Sequence, residues 1–172
     1  MKLYRAKIPV IAKEIVDKLA LDGDVEIEPS RREEAEKDLV AIMEEYRRRD
    51  MELRERVREY MSTRRLPYSE FGRTRKRMAE EMDHPMGEDV ERFLTRQFIE
   101  NMLISPNVEE VYEEDAVIRR KMLEVLEAHD VDEREIREEA MTKIKNVREG
   151  TVDYEIALQN AVKAVKKRRG LI

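Results

Sequence analysis

The sequence predicts an all-α fold made of two repeated antiparallel helical modules that pack against each other. Apolar positions repeat at an offset of 83 residues, only 5 Gly and 5 Pro interrupt the chain, and apolar side chains recur at helical spacing. Self-similarity at a fixed offset marks duplication of one supersecondary unit. We therefore predict a first module over residues 1–85 and a second over residues 86–172. Disorder is the alternative for a chain that is 44% charged, but the regular spacing argues against it.

The repeat is carried by several short segments that align without a gap. The aligned pairs are residues 15–19 with 98–102, 25–26 with 108–109, 38–40 with 121–123, 53–55 with 136–138 and 67–71 with 150–154. Identities are few, but apolar residues align with apolar residues. Modules of this size have marginal cores on their own, so we expect the two to stabilise each other.

The first module opens with an apolar stripe over residues 8–19. Pro9 is tolerated only in a first helical turn, so this helix is predicted to begin near residues 6–8 and to end at residues 22–24. Val25 and Ile27 alternate with acidic residues and are predicted to point inward from a short extended connector. Ser30, followed three residues later by Glu33, is typical of a capping box and predicts the next helix start.

The next segment is interpreted as either two helices or one long bent helix, because a new apolar stripe begins near Asp50. Ser69 is predicted to start a further helix that carries Phe71. Pro85 and Gly87 mark the module boundary, because proline disfavours helix at the residue before it and glycine permits a turn.

The second module follows the same plan. Helices are predicted over residues 90–102, 118–126, 136–147 and 154–165, with a turn at residues 105–108 and a helix cap at Asp132. The connections between these segments are short, which indicates mainly antiparallel neighbours.

Composition restricts the compartment and the chemistry. The chain has no Cys, so it offers no disulfide framework and no thiolate site. The apolar run at residues 8–12 is too short for the core of a signal peptide, and no segment is apolar enough to span a bilayer. We expect a cytoplasmic protein. The many charged residues resemble a heat-adapted protein, although the ten Met residues point the other way.

The two histidines, His84 and His129, are the candidate metal ligands. Di-metal helical bundles use two Glu-x-x-His motifs, and here only Glu81 with His84 provides one. His129 aligns with Tyr46 at the end of an apolar stripe, so we predict a half-buried histidine at a helix end. We predict an exposed boundary residue at His84, with metal binding as the alternative for either histidine.

Two basic clusters are candidate phosphate contacts. The candidate residues are Arg64, Arg65, Arg73, Arg75, Arg77, Lys166, Lys167, Arg168 and Arg169. A salt-bridged exposed face is the alternative for the first cluster, because glutamates lie nearby in sequence. A solvated helix end is the alternative for the second, where cations suit the helix dipole. The net charge of −5 and the lack of a nucleic-acid motif with interleaved aromatics disfavour nucleic-acid binding.

Other site classes have little support in the sequence. The acidic residues at 109–115 lack the ligand-glycine-ligand order of a calcium loop. No serine stands in a nucleophile elbow, and the isolated glycines form no phosphate-binding loop. We therefore expect no enzymatic activity, no cofactor and no specific metal site.

The segments that carry the repeat also carry a resemblance to a known family. Residues 15–19 and 25–26, with 98–100, 108–109, 136–138 and 150–154, resemble the bacterial family called domain of unknown function 507. The resemblance covers nearly the whole chain and implies an all-helical bacterial protein in a tandem, two-module form. Phe71 and Tyr154 stand where the family pattern leads us to expect tryptophan. The resemblance supplies no activity and no catalytic residues.

We predict a non-enzymatic interaction or scaffold protein that self-associates through apolar surface. Nucleic-acid binding through the basic clusters is the alternative, and metal binding by a helical protein is the second. The predicted seam between modules or between copies consists of Ile11, Ile15, Leu19, Phe93, Phe98 and Met102. The alternative is that each of these stripes is internal to its own module.

Overall fold

The computed structural model describes residues 1–144, 148 and 151–172, and the fold in these residues is essentially all-α. The main elements are α1 (Ile8–Leu21), β1 (Val25–Glu26), α2 (Arg32–Arg64), α3 (Phe71–Glu81), α4 (Asp89–Met102), β2 (Glu110–Val111), α5 (Asp115–Ala128), α6 (Glu133–Met141) and α7 (Val152–Arg168). Single 3-10 turns at Arg5–Lys7, Pro29–Arg31 and Tyr68–Glu70 precede α1, α2 and α3. The predicted all-α class is confirmed. Residues 145–147 and Gly150 lie outside the described residues. Part of the helix predicted over residues 136–147, and part of the aligned repeat, depends on them.

Local signals explain the starts of α1 and α6. Helix α1 begins at Ile8, directly before Pro9, as predicted. Asp132 caps α6, because its carboxylate accepts a hydrogen bond from the backbone N–H of Arg134. The capping box at Ser30 is wrong: Pro29 starts a 3-10 turn there, and the Ser30 hydroxyl donates to Glu28 instead. The segment around Asp50 forms one continuous helix, α2, which was the second of the two interpretations.

Contacts divide the described residues into two compact units. Unit 1 consists of Met1 and residues 8–129, and unit 2 consists of residues 2–7 and 130–172. The predicted division between residues 85 and 86 lies inside unit 1, so the compact units do not follow the halves of the repeat. The division into repeated modules stays a prediction.

Unit 1 is built on four helices whose apolar stripes face one another. Helix α1 packs against α2 and α5, and α4 packs against α5 and α2. Strands β1 and β2 pair antiparallel, with Val25 opposite Val111. Val25 and Ile27 are buried, as predicted. A satellite core of Leu53, Val57, Met61 and Ala79 joins the second half of α2 to α3.

The predicted seam residues all lie in unit 1. Ile11, Ile15 and Leu19 on α1 and Phe98 and Met102 on α4 are buried, and Phe93 is partly exposed. Through these stripes each of the two helices meets α2 and α5. A seam between copies of the chain stays a prediction.

Unit 2 is a helical hairpin closed by the segment that precedes α1. Helices α6 and α7 pack together, and their core consists of Tyr4, Ile136, Ala140, Leu158, Val165 and Leu171. Tyr4 lies among these apolar residues and donates its hydroxyl to the Glu133 carboxylate. The N-terminal segment is therefore part of this core and not a free tail.

Candidate anion-binding surface

The turn between α2 and α3 forms one end of unit 1 and presents many cations. Arg65 adopts a left-handed conformation (φ 52°) at the end of α2, and the N–H of Leu66 bonds the carbonyl oxygen of Met61. Pro67 then leads into the 3-10 turn that precedes α3. The chain reverses tightly, so basic residues from the two helices and from the turn share this end of the unit.

Five basic side chains at this end are exposed and have no carboxylate partner among the described residues. We call this group the basic hairpin end; it consists of Arg58, Arg64, Arg65, Arg73 and Lys76. Residues 56–77 contain eight basic and two acidic residues, a net charge of +6 in a chain whose net charge is −5. Three of the eight basic residues, Arg56, Arg75 and Arg77, pair with carboxylates outside this range, so the local positive charge rests on the five residues of the basic hairpin end.

Aromatic rings lie among these cations. Tyr68 is 83% exposed and stacks on Phe71, with ring centroids 5.7 Å apart and an interplanar angle of 17°. The Arg64 guanidinium lies 4.4 Å from the centroid of the Tyr60 ring. A hydrogen bond from Arg77 lowers the pKa of Tyr60. Flat aromatic faces next to free guanidinium groups suit ligands that combine phosphates with rings.

A shallow cavity of about 270 Å³ opens beside Tyr68. Its lining residues are Arg58, Met61, Ser62, Arg65, Leu66, Tyr68 and Phe71. The floor is apolar and the rim is cationic, because Met61 belongs to the buried core while the arginines reach solvent.

Two residues of the predicted cluster are not free. Arg75 is half-buried and donates to the Asp50 carboxylate, so its position does not support its predicted role as a phosphate contact. Burial would raise the pKa of Asp50, but the charges and hydrogen bonds of Arg54 and Arg75 lower it instead. Arg77 is exposed and pairs with Glu81 at 3.6 Å. The two residues are four apart on α3, the spacing of a helical ion pair, so this pairing agrees with the alternative of a salt-bridged face.

The predicted C-terminal cluster is largely paired within unit 2. Lys166 donates to Glu133 at 2.9 Å, and Arg169 donates to Glu139 at 2.8 Å. Arg168 also pairs with Glu139. Lys167 alone among the four predicted contacts has no carboxylate partner in the described part of the chain. Carboxylates of unit 2 therefore neutralise three of the four predicted C-terminal contacts.

His84 is buried, so the prediction of an exposed boundary residue is wrong. Its ring stacks on Tyr46, with centroids 5.0 Å apart, and the Tyr46 hydroxyl donates to the Pro85 carbonyl oxygen. Burial lowers the pKa of His84 against the opposing effect of Asp50, whose Oδ1 lies 3.4 Å from Nε2. Burial also raises the pKa of Tyr46 to about 12. The Tyr46 ring explains the burial, because it covers one face of the imidazole.

His129 follows the last residue of α5 and is partly buried, in agreement with the predicted half-buried histidine at a helix end. Its Nε2 lies 2.7 Å from the Glu14 carboxylate. Within residues 1–144, 148 and 151–172, no group of three or more His, Asp and Glu side chains is arranged to hold a metal ion.

A family model described as "Protein of unknown function (DUF507)" matches residues 1–171. The chain belongs to the DUF507 family. This single family model covers both halves of the chain, so the match does not test the tandem form that the resemblance implies. No curated protein matches the chain. In the described part of this DUF507 protein, no helix is long and apolar enough to cross a membrane.

The predicted contacts did not include Arg58, Lys76 and Tyr68 of this DUF507 surface, although Lys76 lies within the basic run at residues 73–77. Glu55 precedes Arg58 by three residues, the spacing of a helical ion pair, yet the two do not pair in the structure. A count of net charge over the turn and its flanking helices would have found the group.

Proposed function

We propose that the protein binds single-stranded nucleic acid through the basic hairpin end. The observation that carries the proposal is the set of five exposed cations without a carboxylate partner, which share this end of the unit with the exposed Tyr68 ring stacked on the partly buried Phe71. Proteins that bind single strands combine a cationic track for the phosphates with aromatic faces for the bases. The two features occur together on this surface.

The chemistry favours a single strand over a duplex. In a duplex the bases stack on each other, and an exposed tyrosine ring gains no base face to stack on. Guanidinium groups bind phosphate with paired N–H donors, and four of the five free cations are arginines. This proposal treats the protein as a binding protein and not as an enzyme.

The test compares two pairs of arginines on the same helix and its end. Arg64→Gln with Arg65→Gln removes two free cations, whereas Arg48→Gln with Arg56→Gln removes two that pair with Glu52. Anisotropy of a labelled oligouridylate of about eight nucleotides, a length within the usual site size, reports affinity. We expect the first pair to weaken binding by roughly tenfold or more and the second to have little effect. Equal effects of both pairs would contradict the proposal.

Tyr68→Ser separates stacking from charge. Stacking of a base on an aromatic ring contributes about 1–3 kcal/mol. We expect roughly tenfold weaker binding with an unchanged dependence on salt, because no charge is removed. Unchanged affinity would show that Tyr68 does not contact the strand.

Self-association is the second function that we propose, and exposed apolar residues support it. Leu21 at the end of α1 is 87% exposed, and Ile104, two residues after the end of α4, is 82% exposed. These two residues stand at equivalent positions of the repeat, 83 residues apart. Light scattering of the wild type and of a variant with Leu21→Ser and Ile104→Ser tests this proposal. A wild-type mass above that of the monomer, which falls in the variant, supports self-association, and a monomeric wild type contradicts it.

We also propose that the chain is a tandem of two modules related by an approximate two-fold. At the offset of 83, α1 aligns with α4, the start of α2 with α5, and the end of α2 with α6. Helix α1 packs on α2 and α5, and α4 packs on the same two helices. A two-fold that exchanges α1 with α4 and α2 with α5 would give this pattern. Antiparallel pairing of β1 with β2 agrees with such an axis.

A further inference from the structure

A second, larger cavity lies between α3, α4 and the loop that joins them. Its volume is about 420 Å³, within the range of small-molecule sites. Lys76 and Glu80 line it from α3, Asp83 and His84 from the loop, and Phe93 and Arg96 from α4. Lys76 also belongs to the basic hairpin end, so the two surfaces are continuous along α3.

The imidazole of His84 gives this cavity an unusual wall. The side chain is 1% exposed, and neither ring nitrogen has a hydrogen-bond partner in the described part of the protein. The Asp50 oxygen that lies 3.4 Å from Nε2 is too distant for a good hydrogen bond. A buried polar group without a partner costs free energy.

The charged groups around the cavity are of two kinds. Lys76 is an exposed cation without a carboxylate partner among the described residues. Arg92 and Arg96 are also exposed, and they form long ion pairs with Asp89 at 3.8 Å and with Glu100 at 3.9 Å. The Arg96 guanidinium lies 5.8 Å from the centroid of the Phe93 ring. Glu80 and Asp83 are exposed carboxylates without a cation partner among the described residues. The cations suit a phosphate and the Phe93 ring suits a base. The carboxylates suit an amine, because carboxylates accept hydrogen bonds from the exocyclic amine of cytosine.

We propose that this cavity holds one nucleotide of the strand bound at the basic hairpin end, and that it selects bases that carry an exocyclic amine. The inference rests on the proposed function and adds base selectivity to it. From Phe71 to Glu80, α3 rises by about 14 Å at 1.5 Å per residue. A strand with bases about 3.4 Å apart covers that distance in about four nucleotides. One short strand therefore reaches both surfaces.

The test uses two labelled RNAs of about eight nucleotides, oligocytidylate and oligouridylate. Both carry pyrimidines and the same number of phosphates, so the number of phosphate contacts at the basic hairpin end is equal. Cytosine carries an amine at C4 and an unprotonated N3, whereas uracil carries a carbonyl oxygen at C4 and an N3–H. The C4 amine that the carboxylates would bind is therefore present in cytosine and absent from uracil. We expect oligocytidylate to bind about tenfold more tightly, the lower part of the range for one well-placed base contact.

The variants assign this selectivity to the cavity. Asp83→Asn keeps the side-chain shape at a residue with φ 49°, a conformation that Asn also tolerates. Combined with Glu80→Gln, it is expected to lower the preference for cytosine severalfold. Glu59→Gln removes one exposed carboxylate from α2, outside the cavity, and is expected to leave the preference unchanged. All of these residues are exposed, and the urea midpoint of each variant checks its folding.

The possible outcomes separate this inference from the proposed function. Equal binding of the two RNAs, with a loss on Arg64→Gln and Arg65→Gln, overturns the cavity assignment and leaves the proposed function standing. A preference for cytosine that survives the cavity variants also overturns the assignment. Failure of both RNAs to bind at low salt overturns the proposed function itself.

Discussion

Replacing Glu133 by Gln should destabilise unit 2 by an amount that depends on pH. The Glu133 carboxylate accepts hydrogen bonds from Lys2 at 2.8 Å, from Lys166 at 2.9 Å and from the Tyr4 hydroxyl. Burial alone would raise its pKa, but these hydrogen bonds and the charge of Lys2 lower the pKa from 4.5 to about 2. The folded state therefore favours the ionised carboxylate.

The magnitude follows from that pKa. A change from 4.5 to about 2 corresponds to at most about 3.4 kcal/mol, at about 1.36 kcal/mol for each tenfold change in acidity. The side chain is 41% exposed, so solvent screens the interaction. We expect about 1–1.5 kcal/mol at neutral pH. Because the folded pKa is depressed, this stabilisation is present above pH 4.5 and is lost as the pH falls towards 2.

The assay is hydrogen exchange of peptides from α6 and α7 at several pH values, which reads unit 2 separately from unit 1. Glu135→Gln is the control, because Glu135 lies on the same helix and its only ion pair among the described residues is a long contact of 3.9 Å to Arg169. Protection in the wild type should approach that of Glu133→Gln as the pH falls below 4.5. A difference that persists at pH 2, or one of equal size for Glu135→Gln, would refute the reasoning.

Further predictions concern the buried groups. Burial lowers the pKa of His84 from 6.5, so the protein should lose stability as the pH falls below 6.5. The urea midpoint of the wild type should fall over this pH range, and that of His84→Gln should not fall for this reason. Leu53→Ala and Ile136→Ala truncate fully buried residues at equivalent positions of the repeat, and each should cost about 2–5 kcal/mol. Hydrogen exchange should place the first loss in α2 and α3 and the second in α6 and α7; costs below about 1 kcal/mol would contradict this packing.

The parts of the fold that could be predicted depend on neighbours in sequence. Pro9 set the start of α1 and Asp132 capped α6, because both effects act within one turn of helix. The capping box at Ser30 failed because Pro29 formed a 3-10 turn first. The pairing of β1 with β2 joins segments far apart in the chain and only two residues long, too short for a periodicity signal.

The candidate sites show the same limit. The pairing of Arg77 with Glu81 follows from helical spacing and could be expected. Arg75 is neutralised by Asp50 on another helix, and Arg168 by Glu139 across the α6–α7 hairpin, so neither pairing can be read from local spacing. The burial of His84 depends on Tyr46 in the same way. Tertiary partners decide which cations remain free.

The most direct test of the central proposal is the salt dependence of binding of an oligouridylate to the wild-type protein. Five free cations at the basic hairpin end predict a slope of about −3.5 for the logarithm of affinity against the logarithm of salt concentration, at about −0.7 per phosphate contact in single strands. Affinity should then fall about 100-fold between 50 and 200 mM salt. Arg64→Gln with Arg65→Gln should reduce the slope to about −2. A slope near zero, or one that this double substitution leaves unchanged, would contradict the account.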